Sequence, residues 1–523
     1  MIVTCLRPAA RRLPAAFTGR YACPCTRRFI ASGPPSPAPA VTLKTPVLGS
    51  LTNELDKIAP RFEVDAEKIE IIRGPADFYS ALKERILKAK KRIFLSTLYV
   101  GKTEHDLIDT LRQALAAQPE LRVSVLSDAL RGTRETPKAS CASLLAPLIE
   151  EFGDRVTIRL YHTPNFNGFK KQVVPKRLNE GWGLQHMKLY GIDDEIIMSG
   201  ANLSTDYFTN RQDRYHIFSC GKLTDYYERI HNTVCSISYR VLPGPKEIGG
   251  YTMDWPETNP APIPIDEPEN FKKVATSLLT PLLQPSKTEH NLLQAEAKTV
   301  IYPLGQFTPI LPVDTSTEHP ALSTILRALA DKHAADSKWV FTAGYFNIHP
   351  QLKQLLLDST SKGTVITAAP EANGFYGSKG ISNMLPPAYT LLARRFLDDV
   401  IKNGKQDRIE LREWKRGIHG QDPDAWTYHA KGVWVTMPGE KDPSITLIGS
   451  SNYTKRSYSL DIEMNALVVT KDDDLKKRLG SEIEWLKEDS KAVTIEDFQR
   501  TERRVSLKVR LALWLVGAIG GQL

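Results

Sequence analysis

A chain of 523 residues, 41% hydrophobic and 25% charged, is long enough for two sizeable cores and ordinary in composition for a globular class. Its formal charge of +9 and pI near 9.0 favour anionic partners: phosphorylated metabolites, nucleic acid or an anionic membrane. No stretch reaches the roughly 18–20 apolar residues of a spanning helix. The cysteines, three of them early (Cys5, Cys23, Cys25) and three scattered (Cys141, Cys220, Cys235), form neither a disulfide framework nor a zinc pattern.

Residues 1–53 contain no Asp or Glu but carry Arg7, Arg11, Arg12, Arg20, Arg27, Arg28 and Lys44. Residues 1–50 thus read as a mitochondrial transit peptide, with a disordered basic tail as the alternative; without a continuous apolar run they do not read as secretory. A first α/β domain is expected over 60–245. Its strands are Arg92–Tyr99, Leu121–Ser127 and Val156–Tyr161, its helices Glu104–Ala117 and Ala142–Glu151, and this βαβ order predicts a mainly parallel sheet covered on both faces. The Pro-rich stretch 246–290 reads as a linker. A second α/β domain, 291–495, repeats the order with helix Ala321–Ala330, strand Trp339–Phe346, helix Pro350–Leu357, strand Thr364–Ala369, helix Pro387–Asn403 and strand Ile409–Trp414. In 500–523, Arg503, Arg504, Lys508 and Arg510 precede or enter an uncharged run from Leu511. That run spans about 15 Å as a helix against a roughly 30 Å hydrocarbon layer. It reads as a membrane-surface segment with Trp514 at headgroup depth, or else as a helix packed on the protein's own core.

The chemistry lies in a motif that occurs twice. HMKLYGIDDEIIMSGAN begins at His186, and HAKGVWVTMPGEKDPSITLIGSSN at His429. Each runs from His-x-Lys through an apolar stretch to a small-residue turn ending in Asn202 or Asn452. The spacings are 16 and 23 residues, and the seven-residue excess, Met437–Pro443, has the Pro, Gly and charges of a hairpin loop. An acid follows each Asn by eleven positions, Asp213 and Glu463. A register-matched duplication implies two pseudo-symmetric α/β domains sharing one site at their interface.

Two histidines and two lysines at one centre suit displacement at a phosphodiester. One imidazole attacks phosphorus to give a phosphohistidine, and the other protonates the departing oxygen and later deprotonates an incoming alcohol. Lys188 and Lys431 neutralise the non-bridging oxygens; Asn202, Asn452 and the hydroxyls of Ser204, Ser450 and Ser451 add donors. Asp213 and Glu463 are placed to orient the imidazoles. No metal-ligand spacing occurs, so no metal or other cofactor is expected, and strong basic–aromatic stripes for nucleic acid are absent.

HxKxxxxD followed by a Gly/Ser–Asn turn, twice per chain, resembles the phospholipase D superfamily over residues of about 60 to 495. The first copy is complete (His186, Lys188, Asp193), whereas Thr436 stands where the second Asp is expected. The strings HMKLYGID…SGANLSTDYFTNRQDRY and YHAKG…LIGSSN, behind a transit-like leader, resemble the mitochondrial phosphatidyltransferases of that superfamily. The resemblance implies that His186 or His429 takes the phosphatidyl group from CDP-diacylglycerol, releasing CMP, and that glycerol 3-phosphate accepts it at an anionic mitochondrial membrane surface, peripherally on the inner membrane. The alternatives are a phosphatidylserine synthase of the same superfamily, or a phosphodiesterase or nuclease with water as acceptor. A phosphorylated acceptor needs further cations. Arg211 and Arg214, beside Asp213 and expected near His186, come first, with Arg131 and Arg134 second. Lys102, in a near-match to the P-loop pattern that lacks its first Gly, is expected at the pyrophosphate.

Overall fold

The computed structural model describes residues 46–174, 179–285, 297–331 and 334–518. The expected leader lies outside them through residue 45, as do residues 519–523.

Two nine-stranded sheets repeat one plan. In each, three strands run parallel: Arg92–Ser96, Arg122–Asp128 and Val156–Tyr161 in the first; Lys338–Ala343, Lys362–Ala368 and Ile409–Trp414 in the second. The strand after each His-x-Lys His, Leu189–Ile192 or Lys431–Thr436, joins antiparallel beside the first of the three. Next come Glu195–Ser199 or Ile445–Gly449, then Tyr215–Ser219 or Glu463–Thr470, all antiparallel. Ile69–Ile72 and Thr299–Gln306 follow. Tyr239–Pro243 and Ser490–Ala492 flank the far side of each parallel trio.

The sheets are therefore mixed, with two parallel pairings each, rather than mainly parallel. A parallel neighbour needs a crossover of a dozen or more residues. Strand 189–192 reaches 195–199 through Asp193 and Asp194 alone, which forces an antiparallel hairpin. The loop at 437–443 does sit between two antiparallel strands, with Val435 opposite Ile445.

The Pro-rich stretch 246–290 carries more structure than a linker. Tyr251–Asp254 pairs with Tyr239–Pro243 at the edge of the first sheet, and helix Pro268–Leu283 buries Phe271, Ala275, Leu279 and Leu283. Pro268 opens that helix, where its missing N–H costs nothing. Near the start of the described chain, Phe62–Glu63 pairs with Thr299–Gln306 of the second sheet.

One apolar cluster belongs to each half. A third is shared: Met187, Met198 and Phe218 from the first half meet Trp434, Met464 and Ala466 from the second, with Tyr227, Leu279 and Leu479 from three helices. This shared core fixes the two sheets against each other and brings their His-x-Lys segments to one place.

Candidate active site

Each histidine is strapped to the other half. Gln185 forms a parallel bridge with Ile462, and the His186 N–H donates to the Ile462 carbonyl at 2.9 Å. Thr427–Tyr428 pairs in parallel with Arg211–Gln212, and the His429 N–H donates to the Gln212 carbonyl at 2.8 Å. Since each partner segment leads directly into an acid, the acids serve across the interface. His186 Nδ1 lies 2.9 Å from Glu463 Oε2, and His429 Nδ1 lies 2.6 Å from Asp213 Oδ2. Neither half holds a complete His–acid pair alone. Asp213 stands by His429, not His186 as its position in the first copy suggests.

The lysines fold back beside their own histidines. Lys188 Nζ donates to the His186 carbonyl at 2.7 Å. Lys431 Nζ donates to the His429 carbonyl at 2.7 Å and sits 2.8 Å from its Nδ1 and 3.6 Å from Asp213 Oδ2. Gly200, in the turn before Asn202, makes this approach feasible: a Cβ there would stand 2.6 Å from Lys431 Nζ and 2.8 Å from Asp213 Oδ1. Asn202 Nδ2 donates to the Tyr207 hydroxyl, which reaches His429 Nε2; both distances are 3.2 Å. The Tyr207 and Tyr345 rings meet the His429 imidazole edge-on at 5.1 and 5.4 Å. On the second copy the Asn452 N–H donates to Ser457 Oγ. Ser204 Oγ bonds Asp206, Ser450 Oγ donates to the Met464 carbonyl, and Ser451 Oγ accepts from the Tyr453 N–H.

Burial sets the charges. It pushes both imidazoles well below their usual range; Lys188 beside His186 and Lys431 beside His429 add to this, so each ring is neutral in the empty site. Burial raises the Glu463 carboxyl to about 7 despite Lys188. It lowers Lys188 to about 7, partly offset by Glu463. Asp213 is also raised by burial, but Lys431 and His429 outweigh that and leave it below the usual carboxylate range. The Lys431 ammonium is lowered by burial, with Asp213 opposing.

Several residues expected at the site lie elsewhere. Asp193, with φ of 48°, turns its carboxylate back to accept the N–H groups of Lys90, Lys91 and Arg92 at 2.9, 2.9 and 3.1 Å. It fixes the hairpin at the opposite end of strand 189–192 from His186, and in the second copy Thr436 pairs simply with Lys338. Arg214 is 1% exposed and fully engaged. It grips both oxygens of Glu482 at 2.9 Å, donates to the Leu447 carbonyl at 2.7 Å and stacks on Trp434 at 3.8 Å. It cannot receive an acceptor's phosphate. Arg134 is paired with Glu180.

Arg211 remains at the centre. It pairs with Asp206 at 2.8 Å, donates to Thr427 Oγ1 at 3.0 Å and lies over the Tyr207 ring, hence beside His429. Arg131 pairs with Glu135 at 3.2 Å and stacks on Tyr99 at 4.0 Å. Arg131, Tyr99 and Glu135 line a cavity of about 250 Å³ with Lys102, Ser204 and Asp206.

Tyr207, Tyr345 and the Arg456–Asp461 pair (2.8 Å) were not anticipated. A signal for the last existed. Four and nine positions after the motif Asn the first copy has Asp206 and Arg211, the second Arg456 and Asp461. The ion pair is duplicated with its charges exchanged. Among the described residues no group of three or more His, Cys, Asp or Glu could hold a metal.

No protein-family model matches the chain. In structure it is similar to phosphatidylserine synthase from Haemophilus influenzae, with a TM-score of 0.70 and 21% identity over 90% of this chain and 98% of that one. That likeness shows a phospholipase D-like fold. In sequence it is 45% identical over 522 residues, 98% of each chain, to the CDP-diacylglycerol–glycerol-3-phosphate 3-phosphatidyltransferase of Saccharomyces pastorianus. It is 45% identical over 482 residues to that of Saccharomyces cerevisiae, covering 90% of this chain and 92% of the relative. The mitochondrial human enzyme is 32% identical over 492 residues, 88% of this chain and 84% of the relative. The chain belongs to the CDP-diacylglycerol–glycerol-3-phosphate 3-phosphatidyltransferase family.

Proposed function

We propose that this site moves the phosphatidyl group of CDP-diacylglycerol onto glycerol 3-phosphate, giving phosphatidylglycerophosphate and CMP, through a phosphohistidine at His186. The crossed pairing of each imidazole with the other half's acid carries the reading, because it yields two differently supported bases at one phosphodiester. His186 donates its Nδ1–H to Glu463, leaving the Nε2 lone pair to form the N–P bond as the P–O bond to CMP breaks. The anionic pyrophosphate entering between Lys188 and Lys431 raises both imidazoles. His429, with ionised Asp213 behind it, is the one that takes a proton and passes it to the departing oxygen. In the second step neutral His429 removes the proton of the acceptor hydroxyl, whose oxygen displaces His186 from phosphorus. Arg211, beside His429, neutralises the acceptor's phosphate; its partner Asp206 lines the neighbouring cavity with Arg131 and Lys102.

The proposed setting is the mitochondrion, peripherally on the inner membrane; among the described residues no helix is long and apolar enough to cross a bilayer. The test is incubation of the purified protein with labelled CDP-diacylglycerol and, separately, glycerol 3-phosphate, serine or water. Phosphatidylglycerophosphate and CMP in equal amounts are expected. Faster turnover with serine or with water overturns the acceptor assignment.

A further inference from the structure

Of the eight large hydrophobic side chains exposed among the described residues, three lie on one short helix, Leu507–Ala518: Leu507 is 81% exposed, Leu511 58% and Trp514 67%. Their spacing, i, i+4 and i+7, places them in one stripe. Val509, 7% exposed, faces the protein, so the helix is apolar on two faces and covered on one. Lys508 and Arg510 flank the uncovered stripe, and Arg504 is exposed just before it; no acid occurs from 505 to 518.

The position of this helix is informative. Arg503, four residues upstream, is clamped to Glu413, with Nη1 2.9 Å from Oε1, at the C-terminal end of strand 409–414. That is the end of a parallel trio at which open α/β sheets place their ligands. The helix packs against helix Leu385–Lys402, which carries Tyr389. From Tyr389 a run of half-buried rings leads inward: Tyr345 is 5.4 Å from Tyr389 and 5.8 Å from Phe375, and 5.4 Å from His429.

We propose that helix 507–518, with the aromatic rim at Tyr389, Phe375 and Tyr345, is the face by which the protein docks on an anionic lipid bilayer, and that the diacylglycerol part of the substrate reaches His429 from that side. The inference rests on the lipid-transferase reading above. A bilayer fits better than a protein partner. The stripe is three side chains over about 10 Å at 1.5 Å per residue, against the roughly 20–30 residues a side that a stable protein interface engages. Apolar side chains flanked by Lys and Arg match the boundary between acyl chains and anionic headgroups.

The full-length protein is mixed with phosphatidylcholine vesicles with and without phosphatidylglycerol, and vesicle flotation is scored. The Leu511→Glu/Trp514→Glu double variant is compared with Leu87→Glu, a control on an exposed side chain of helix Pro75–Lys88 in the first half. Wild type and control are expected to float with the anionic vesicles. The double variant should lose about ten-fold or more of that binding and as much of its CMP release from vesicle-embedded CDP-diacylglycerol, while keeping near-normal turnover in detergent micelles. Equal flotation of the double variant and the control, an equal loss in micelles with the fold intact, or a wild-type dimer that the double variant dissolves would each overturn the docking face. If the wild type forms no phosphatidylglycerophosphate even in micelles, the transferase reading fails instead.

Discussion

Around His186 the second half supplies Glu463, with a second buried carboxyl, Glu318, close behind it; around His429 the first half supplies Asp213, with Lys431 3.6 Å away. Glu318 accepts from the Tyr458 hydroxyl and Asn465 Nδ2, both at 2.9 Å, and burial and Glu463 raise it to about 8. In the first half Tyr215 occupies the place of Asn465, two residues beyond the acid, and stacks on Phe78 at 4.5 Å, so the amide that holds Glu318 has no counterpart at that position. Burial holds Glu463 near neutrality despite Lys188, whereas Lys431 and His429 hold Asp213 ionised. An ionised acid stabilises an imidazolium; a half-protonated one orients the ring while lending it little charge. On the proposed mechanism a duplicated motif becomes a nucleophile and an acid–base through the surroundings of each carboxylate, with the His-x-Lys itself unchanged.

Neutralising the two acids is the sharpest way to break the comparison. Asp213→Asn should lower kcat by about 10⁴, as loss of an ionised partner does to a catalytic histidine elsewhere. Glu463→Gln, replacing a group already near neutral, should cost far less at pH 7. Steady-state rates of both variants decide it, and equal losses would mean that the pairs are equivalent.

The two arginines at the same junction differ as much. Removing Arg214 leaves Glu482 buried without its main partner, so Arg214→Ala should lose about 3–5 kcal/mol of stability, read by denaturant unfolding. Arg211→Ala should unfold like the wild type but raise KM for glycerol 3-phosphate while sparing CMP release without acceptor.

Much of this was legible in the sequence. The doubled register, the strand and helix order, and the acid eleven residues after each Asn came from periodicity and spacing, which local chain geometry dictates. What spacing could not give was which acid meets which histidine. That depends on how two sheets pack, and the segments crossed over: His186 lies against Ile462, and His429 against Gln212. Arg214 misled for the same reason. A cation next to a catalytic acid looks functional until Gly432, whose missing side chain leaves room for the guanidinium, and Glu482 and Trp434 from the other half are found around it. Asp193 belongs to the recognisable motif yet serves the hairpin, the structural role the resemblance implies, through its three backbone partners.

The smallest effect concerns pH. The folded Glu318 keeps its proton up to about 8, against an ordinary 4.5, so unfolding releases that proton between those values. Stability from this group is full below about 4.5 and lost as pH rises toward 8. Glu318→Gln, which cannot ionise, should remove that slope, so the variant gains on the wild type in unfolding experiments from pH 5 to 8. A parallel slope in both proteins would show that Glu318 is ionised throughout.

The division of labour is tested most directly by trapping. CMP leaves in the first step, where His429's proton speeds the departure but a phosphate is a good enough leaving group to go without it; the acceptor hydroxyl in the second step needs the base. His429→Ala given labelled CDP-diacylglycerol should therefore release close to one CMP per chain and stall, with phosphatidyl label retained on the denatured protein in base and mapped to His186, and His186→Ala should give no label. Label on His429 in the His186→Ala protein, with none on His186 in the His429→Ala protein, would contradict the account.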